Sequence, residues 1–125
     1  MQANHLKIGL KGERAAARFM EERGYLILER NWRCGRAEID LICGRDEELV
    51  FIEVKTRSSD YFGEPETFVQ RPKKNRMEKA AIHFLEKLSG AYSLRFDIIS
   101  VKVLGNVMEI RHFENAFMGS REIWS

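Results

Sequence analysis

The stretch EIDLICGRDEELVFIEVKTRSSD, residues 38–60, places acidic side chains inside two runs of strand-forming residues. In the second run, strict alternation puts Phe51, Glu53 and Lys55 on one face of a strand. The other face is formed by apolar side chains, namely Val50, Ile52 and Val54. Both faces are therefore partly apolar, which is typical of a central strand covered on both sides. Such a strand rarely carries Glu and Lys unless the protein uses them.

The first run, AEIDLIC, carries Asp40 in the same way. By alternation Asp40 shares a face with Ile42, while Ile39 and Leu41 occupy the opposite face. The residues GRDEE form a turn between the two runs, so we expect neighbouring strands that each carry an acidic residue. This pattern predicts a site between the strands. The alternative is that the acids are only the polar half of two ordinary strands.

The composition favours one globular domain over residues 1–125, with a core at about 5–113 and a short tail at 114–125. Hydrophobic residues make up 44% and charged residues 32% of the 125 positions, as in ordinary folded domains. No apolar run approaches the roughly 18 residues of a membrane span, and the first residues lack the apolar segment of a signal peptide. We therefore expect a cytoplasmic protein without a membrane partner. Cys34 and Cys43 show no CxxC spacing and are expected to be reduced structural thiols.

The periodicity predicts seven elements in the order α-β-β-β-α-β-β. Helical spacing of apolar residues predicts one helix at about 5–23 and another from about 72 to 88. Alternation and turn residues predict the strands, at about 25–32, 37–43, 48–57, 94–103 and 107–114. Three hairpin-linked strands followed by a helical crossover predict an α/β fold with a mixed central sheet flanked by helices.

Basic residues are concentrated in two segments, although the formal net charge is only +2. Residues 71–79, RPKKNRMEK, contain five basic residues and one acidic residue. The second segment comprises Arg30, Arg33 and Arg36, just before the acidic strand. Such local excesses can contact phosphates, although a basic helix start is more often a solvated face.

Asp40 followed by Glu53-Val54-Lys55 resembles the D…(D/E)xK signature of the PD-(D/E)xK nuclease superfamily. The blocks GERAAARFMEERGYLILERNWRCGRAEIDLI and LVFIEVKTRSSDYFG are similar to the YraN-like family of uncharacterised bacterial proteins, which belongs to that superfamily. The resemblance covers about residues 5–113. It implies a restriction endonuclease-like α-β-β-β-α-β core, here with one extra C-terminal strand, and it implies a metal-dependent nuclease activity that for this family is only predicted.

The chemistry of phosphodiester hydrolysis explains why these residue types occur together. Negative charge builds up on the phosphate oxygens and water is a poor nucleophile, and Mg²⁺ or Mn²⁺ relieves both problems through oxygen ligands. Asp40 and Glu53 can supply two carboxylates from adjacent strands. Lys55 can orient or deprotonate the attacking water, or stabilise developing charge. By resemblance, the backbone carbonyl of Val54 and the carboxylate of Glu13 complete the metal site.

Further residues are predicted on weaker grounds. Glu13 has a second interpretation as a solvated helix residue, and Glu38 is either an accessory group near Asp40 or a rim charge. Gln70 is a second accessory candidate, by resemblance to relatives with a polar side chain at a similar place. Six basic residues are predicted to contact nucleic acid: Arg33, Arg36, Arg57, Lys73, Lys74 and Arg76.

The remaining titratable residues do not suggest another chemistry. His83 lies beside the apolar stripe of the second helix and is expected to be structural, while His5 and His112 are isolated in the sequence. A Ser-His-Asp triad, a Gly-rich phosphate loop and a zinc signature are missing from the sequence. Asp97 is expected to be structural, paired with Arg95 or with the basic helix.

Three functions remain open from the sequence. The leading hypothesis is a Mg²⁺-dependent endonuclease-like protein acting on DNA that is branched, damaged or single-stranded, because no sequence-recognition domain is visible. Many minimal nucleases of this kind act as dimers, so a homodimer is included in this hypothesis. The second is a catalytically silent nucleic-acid-binding module with the same fold. The third is a protein-interaction domain in which the acids pair with Lys55 and Arg57.

Overall fold

The computed structural model describes residues 2–58 and 71–116, with side chains described over 7–58 and 75–116. Within these residues the chain forms two helices and five strands in the predicted order. They are α1 (Gln2–Glu22), β1 (Leu26–Cys34), β2 (Ala37–Arg45), β3 (Glu48–Ser58), α2 (Arg71–Leu85), β4 (Ser93–Leu104) and β5 (Val107–Phe113). The predicted element order is therefore confirmed, and α2 ends three residues earlier than predicted.

The five strands form one mixed sheet in the order β1-β2-β3-β4-β5. Strands β3 and β4 are parallel, and every other neighbouring pair is antiparallel. Parallel neighbours cannot be joined by a tight turn, which is why the segment between β3 and β4 contains α2. This arrangement confirms the α/β class and has the architecture of a restriction endonuclease-like fold.

The sheet carries a hydrophobic core on each face. The core on the α2 side includes Phe51 and the helix residues Met77 and Phe84. The core on the α1 side includes Val50 and Ile52. Strand β3 therefore supplies alternate side chains to both cores, as its sequence predicts, and Glu53 and Lys55 follow Phe51 on the α2 side.

Strand β2 does not keep this alternation at Asp40. Ile39 packs in the α2-side core, whereas Leu41 packs in the α1-side core, so the prediction that they share one face was wrong. Opposite this position, Asn31 of β1 adopts a left-handed backbone conformation with φ of 50°. The side chains of β2 thus change face only at Asp40, which lies opposite Asn31 in the β1–β2 hairpin.

The pairing of β2 with β3 ends at the same level. It runs from Arg45 opposite Glu48 to Leu41 opposite Ile52, so Asp40 and Glu53 lie just beyond the last pair. A strand that separates from its neighbour leaves backbone groups without a ladder partner. The N–H of Val54 instead donates to Oδ2 of Asp40, 2.8 Å away.

Helix α1 approaches the sheet closely at Gly12. A Cβ atom on Gly12 would collide with the side chain of Thr56 on β3, so a glycine is needed for this approach. Ala16 and Met20 extend the buried face of α1 toward its C-terminal end. Because Glu13 follows Gly12 directly, the close approach also brings Glu13 to the end of the sheet where Asp40 lies.

Neither of the two helices in the described part of the chain is long and apolar enough to cross a membrane.

Candidate active site

Asp40 and Glu53 line the same cleft and are close enough for each to influence the ionisation of the other. Burial of Asp40 raises its pKa to about 8, with further contributions from the charge of Glu53 and from their mutual hydrogen bond. The hydrogen bond from Val54 lowers the pKa, and the charge of Glu13 raises it. At neutral pH and without a cation, Asp40 is therefore largely protonated.

Lys55 lies beside this carboxyl pair. Its Nζ atom is 3.4 Å from Oε2 of Glu53, and both side chains are largely withdrawn from solvent, at 16% and 3% exposure. The separation of Glu53 and Lys55 by one residue puts both on the α2 side of β3. The arrangement brings two acidic groups and one basic group together at low exposure. When both acids are ionised, one negative charge is left uncompensated by Lys55, and a further cation would balance it.

The pair opens into a cleft of about 220 Å³ on the α2 side of the sheet, here called the α2-side cleft. It is lined by Arg36, Ala37, Glu38, Asp40, Glu53, Arg76 and Met77. Arg36 and Arg76 are exposed, and neither forms a hydrogen bond or ion pair with any residue in the described ranges. Of the six residues predicted to contact nucleic acid, these two line the cleft that holds the acids.

Glu13 approaches Asp40 from the other side of the sheet. It lines a second cleft of about 150 Å³, here called the α1-side cleft. The residues of this cleft are Leu10, Glu13, Arg14, Arg30, Asn31, Asp40 and Leu41. Oε1 of Glu13 accepts a hydrogen bond from Nδ2 of Asn31 at 3.3 Å. The half-buried Glu13 is thus near enough to influence the pKa of Asp40, and its assignment as a metal ligand stays a prediction.

Other predicted residues have local partners. Nε of Arg33 lies 3.2 Å from Oε2 of Glu38, which forms an ion pair on the rim of the α2-side cleft. Arg57 is half-buried, and its Nη1 donates to the backbone carbonyl of Thr56 at 2.9 Å. The nucleic-acid contacts of Arg33 and Arg57 stay predictions, and so does the accessory role of Glu38.

Several candidate atoms lie outside the described residues. Gln70 precedes α2 and is not among them, and Lys73 and Lys74 are described only as backbone within α2. The predicted contribution of the Val54 carbonyl stays a prediction, although the N–H of the same residue binds Asp40.

Asp40 and Glu53 are suitable ligands for Mg²⁺ or Mn²⁺. Over residues 2–58 and 71–116, no group of three or more His, Cys, Asp or Glu side chains is arranged to hold a metal ion. Mg²⁺ is commonly bound through one or two carboxylates while it keeps several waters, so a third carboxylate is not required. Asp40 and Glu53 provide two neighbouring carboxyl groups, and burial together with the charge of Glu53, which a cation would compensate, raises the pKa of Asp40.

Asp97 belongs to a separate buried network. Its carboxylate accepts from Nη2 of Arg95 at 2.8 Å and from the backbone N–H of Asn115 at 3.0 Å, and it lies 2.7 Å from Nε2 of His112. Burial raises its pKa, but the hydrogen bonds from His112, Arg95 and Asn115 outweigh burial and hold the pKa below its ordinary value. Asp97 pairs with Arg95 as predicted, whereas His112 is not isolated.

His83 and the two cysteines, Cys34 and Cys43, are expected from the sequence to be structural, and the structure describes the surroundings of each. His83 is exposed and lies 3.3 Å from Oε1 of Glu86, so it forms a surface ion pair when protonated and is not a core residue. Both cysteines are free. Burial, followed by the charge of Asp97, raises the pKa of Cys43 to about 12, which makes its thiolate scarce at neutral pH.

Sequence reasoning missed the α1-side cleft. Arg14 appeared only as part of a helix and Arg30 as part of a basic segment, and Asn31 was not singled out. The left-handed conformation of Asn31 has no clear sequence signal, although Asn tolerates it better than most residues.

The fold and the position of Asp40, Glu53 and Lys55 define a restriction endonuclease-like α/β protein. The chain matches the model of the uncharacterised protein family UPF0102 over residues 12–101. It is 42% identical to a UPF0102 protein of Bacteroides thetaiotaomicron over 92% of this chain and 95% of the relative. A UPF0102 protein of Syntrophomonas wolfei is 41% identical over 89% of this chain and 97% of its own length. The chain therefore belongs to the UPF0102, or YraN-like, family of the PD-(D/E)xK superfamily.

Proposed function

We propose that the protein is a metal-dependent endonuclease-like enzyme that hydrolyses phosphodiester bonds of DNA. The observation that carries the proposal is the convergence of Asp40 and Glu53 at the point where β2 and β3 separate, with Lys55 only 3.4 Å from Glu53. Two acidic residues that were only the polar half of ordinary strands would face solvent. Glu53, by contrast, is 3% exposed and lines a cleft.

In this proposal Asp40 and Glu53 hold Mg²⁺ or Mn²⁺, with the Val54 carbonyl and Glu13 as further ligands. The bound metal neutralises phosphate charge and makes water a better nucleophile. Asp40 must release its proton before it can act as a ligand, so cation binding competes with protonation. Lys55 holds the attacking water or donates to the developing negative charge, and Arg36 and Arg76 bind the phosphate at the rim of the cleft.

The proposed substrate is DNA distinguished by its structure, such as an unpaired, branched or damaged strand, in the cytoplasm. The two clefts at Asp40 measure about 220 and 150 Å³, smaller than typical ligand pockets of roughly 300–1,000 Å³. They suit phosphate groups on an accessible strand better than an enclosed base. A homodimer would allow one site to act on each strand of a branched substrate.

A second candidate function is nucleic-acid binding without cleavage. The exposed Arg36 and Arg76 support it, because their guanidinium groups are available to phosphates whether or not a metal is bound. In that case binding falls with salt, and Mg²⁺ or Mn²⁺ changes neither affinity nor product. The ion pair between Lys55 and Glu53 supports the third candidate, a protein-interaction domain, which would release no heat when titrated with either cation.

The test is cleavage of junction, flap and single-stranded DNA by purified protein with Mg²⁺ or Mn²⁺. We expect Asp40→Asn, which removes a metal ligand, and Lys55→Ala, which removes an acid–base or charge-stabilising group, each to lower the rate by at least about a hundredfold. Arg18→Ala serves as the matched surface control and should retain the wild-type rate. Equal residual cleavage by all variants would show that a contaminant is responsible.

A further inference from the structure

The α1-side cleft contains two basic side chains that the proposed hydrolysis does not use. Arg14 on α1 and Arg30 on β1 are exposed, and neither forms a hydrogen bond or ion pair with any residue of the described ranges. Asn31 lines the same cleft and donates a hydrogen bond from its side-chain amide to Glu13. An exposed pair of arginines in a small concave site is suited to a phosphate group.

The two clefts lie against opposite faces of the sheet and adjoin at Asp40. Met77 of α2 lines one cleft and Glu13 of α1 lines the other, while Asp40 lines both. Asp40 reaches both sides because the alternation of β2 breaks there and the pairing with β3 has already ended. Because both clefts include Asp40, a chain-like ligand that occupied both of them would run beside this residue.

Each cleft supplies two exposed arginines to such a ligand. Arg36 and Arg76 belong to the α2-side cleft, and Arg14 and Arg30 belong to the α1-side cleft. Two arginine pairs on either side of an acidic centre match a polyanion with regularly spaced phosphates. The carboxylate of Glu13 repels phosphate in the α1-side cleft, and its hydrogen bond from Asn31 reduces this repulsion.

We propose that a single unpaired DNA strand passes beside Asp40 from the α2-side cleft to the α1-side cleft, where Arg14 and Arg30 bind its phosphates. The proposal rests on the proposed function for the identity of the ligand and narrows it to a single-stranded or frayed substrate. A duplex is disfavoured on this path from one face of the sheet to the other, because bending even a short duplex site of roughly 20–30 base pairs by about 40–90° costs substantial free energy. A single strand turns within a few nucleotides.

The experiment measures binding of a fluorescently labelled single-stranded oligonucleotide by anisotropy in EDTA, so that no cleavage occurs. Arg14→Ala/Arg30→Ala is compared with Arg18→Ala/Lys102→Ala, which removes the same charge from residues outside both clefts. We expect the first variant to raise Kd about tenfold or more and the control less than about threefold. The slope of log K against log salt should become shallower by about 1.4, or roughly 0.7 for each lost phosphate contact.

A blunt duplex is the comparison ligand, and the two double variants should bind it with equal affinity. Arg14→Lys/Arg30→Lys keeps the charges and should recover most of the single-strand affinity. Because Arg14 and Arg30 are exposed, unfolding temperatures should match the wild type. Equal loss of single-strand binding in the two charge-matched variants overturns the proposal.

The outcomes separate this proposal from the proposed function. If the wild type cleaves DNA but the Arg14/Arg30 variant binds single strands like the control, hydrolysis stands and the strand path is wrong. If no metal supports cleavage but the same variant selectively loses single-strand binding, the strand path stands and hydrolysis is wrong.

Discussion

At Asp40, burial and neighbouring charge act on the same carboxyl group. The backbone N–H of Val54 favours its ionised form, whereas burial and the adjacent Glu53 oppose ionisation strongly enough to raise the pKa to about 8. A carboxyl group in such surroundings reduces the stability of the folded protein when it is forced to ionise. Residues whose pKa is strongly shifted by burial and by a neighbouring charge are found more often at binding and catalytic sites.

The first prediction concerns the stability of Asp40→Asn without divalent cations. The folded-state pKa of about 8 lies above the ordinary value of 3.8, so the folded wild type binds more protons between these pH values and loses stability as pH rises through this window. Asparagine does not ionise. We expect Asp40→Asn to be more stable than wild type by roughly 1–3 kcal/mol at pH 8, with the difference shrinking toward pH 4.

Urea denaturation at several pH values checks this prediction. Glu109→Gln, on the exposed surface of β5, is the matched control and should show no such pH dependence. A constant difference between Asp40→Asn and wild type from pH 4 to pH 8 would contradict the raised pKa.

At the scale of elements, the approach of α1 to β3 determines where Glu13 lies. Gly12 allows this approach because a side chain there would occupy the space of Thr56. The hydrophobic periodicity predicts the helix and its buried side. It does not predict the distance between helix and sheet, because that distance depends on the residue that the glycine faces.

The second prediction is that Gly12→Ala destabilises the protein. The added methyl group must displace Thr56 or move α1, and overpacking of this kind costs about 1–3 kcal/mol. A double-mutant cycle with Thr56→Ala should show coupling, because removing the Thr56 side-chain atoms relieves part of the collision. Gly9→Ala on the same helix is the control, since its added methyl group meets no atom within 4 Å. Equal effects of the two glycine substitutions would contradict the close approach.

At the scale of the whole molecule, the buried network around Asp97 joins strands that are distant in sequence. Arg95 binds Asp97, the hydroxyl of Tyr25 at 3.1 Å and the carboxylate of Glu48 at 3.1 Å, and His112 lies against Asp97 from β5. The network thereby connects β4 with β3, β5 and the residue preceding β1. It lies apart from both clefts and serves stability.

The third prediction concerns this network. Asp97→Ala leaves the largely buried Arg95 without its main counter-charge, and breaking a buried ion pair typically costs about 3–5 kcal/mol. We expect a loss of this size in the free energy of unfolding at neutral pH. Because the folded-state pKa of Asp97 is below its ordinary value, its contribution is present above the ordinary pKa and is lost as pH falls through the folded-state pKa.

Chemical denaturation of Asp97→Ala and of the surface control Glu109→Ala, with and without acidification, measures this effect. A loss under about 1 kcal/mol for Asp97→Ala, or an equal loss in the control, would show that the network is not stabilising.

The sequence predicts much of the fold and the centre of the site, since alternation in β3 places Glu53 and Lys55 correctly. It fails at Asp40, where the change of face depends on the backbone of Asn31 in another strand and on where the β2–β3 pairing ends. It also fails at His112, whose partner Asp97 is reached only when β5 pairs with β4. Local pattern shows which residues share a face, whereas contacts across strands depend on register and separation.

The central claim is that Asp40 and Glu53 together bind a divalent cation, and anomalous scattering from a crystal soaked in Mn²⁺ tests it most directly. We predict one peak between the two carboxylates, about 2.0–2.4 Å from an oxygen of each, and no peak in Asp40→Asn crystals soaked in the same way. A wild-type crystal with no Mn²⁺ at these carboxylates, or with Mn²⁺ bound only elsewhere, would contradict the account.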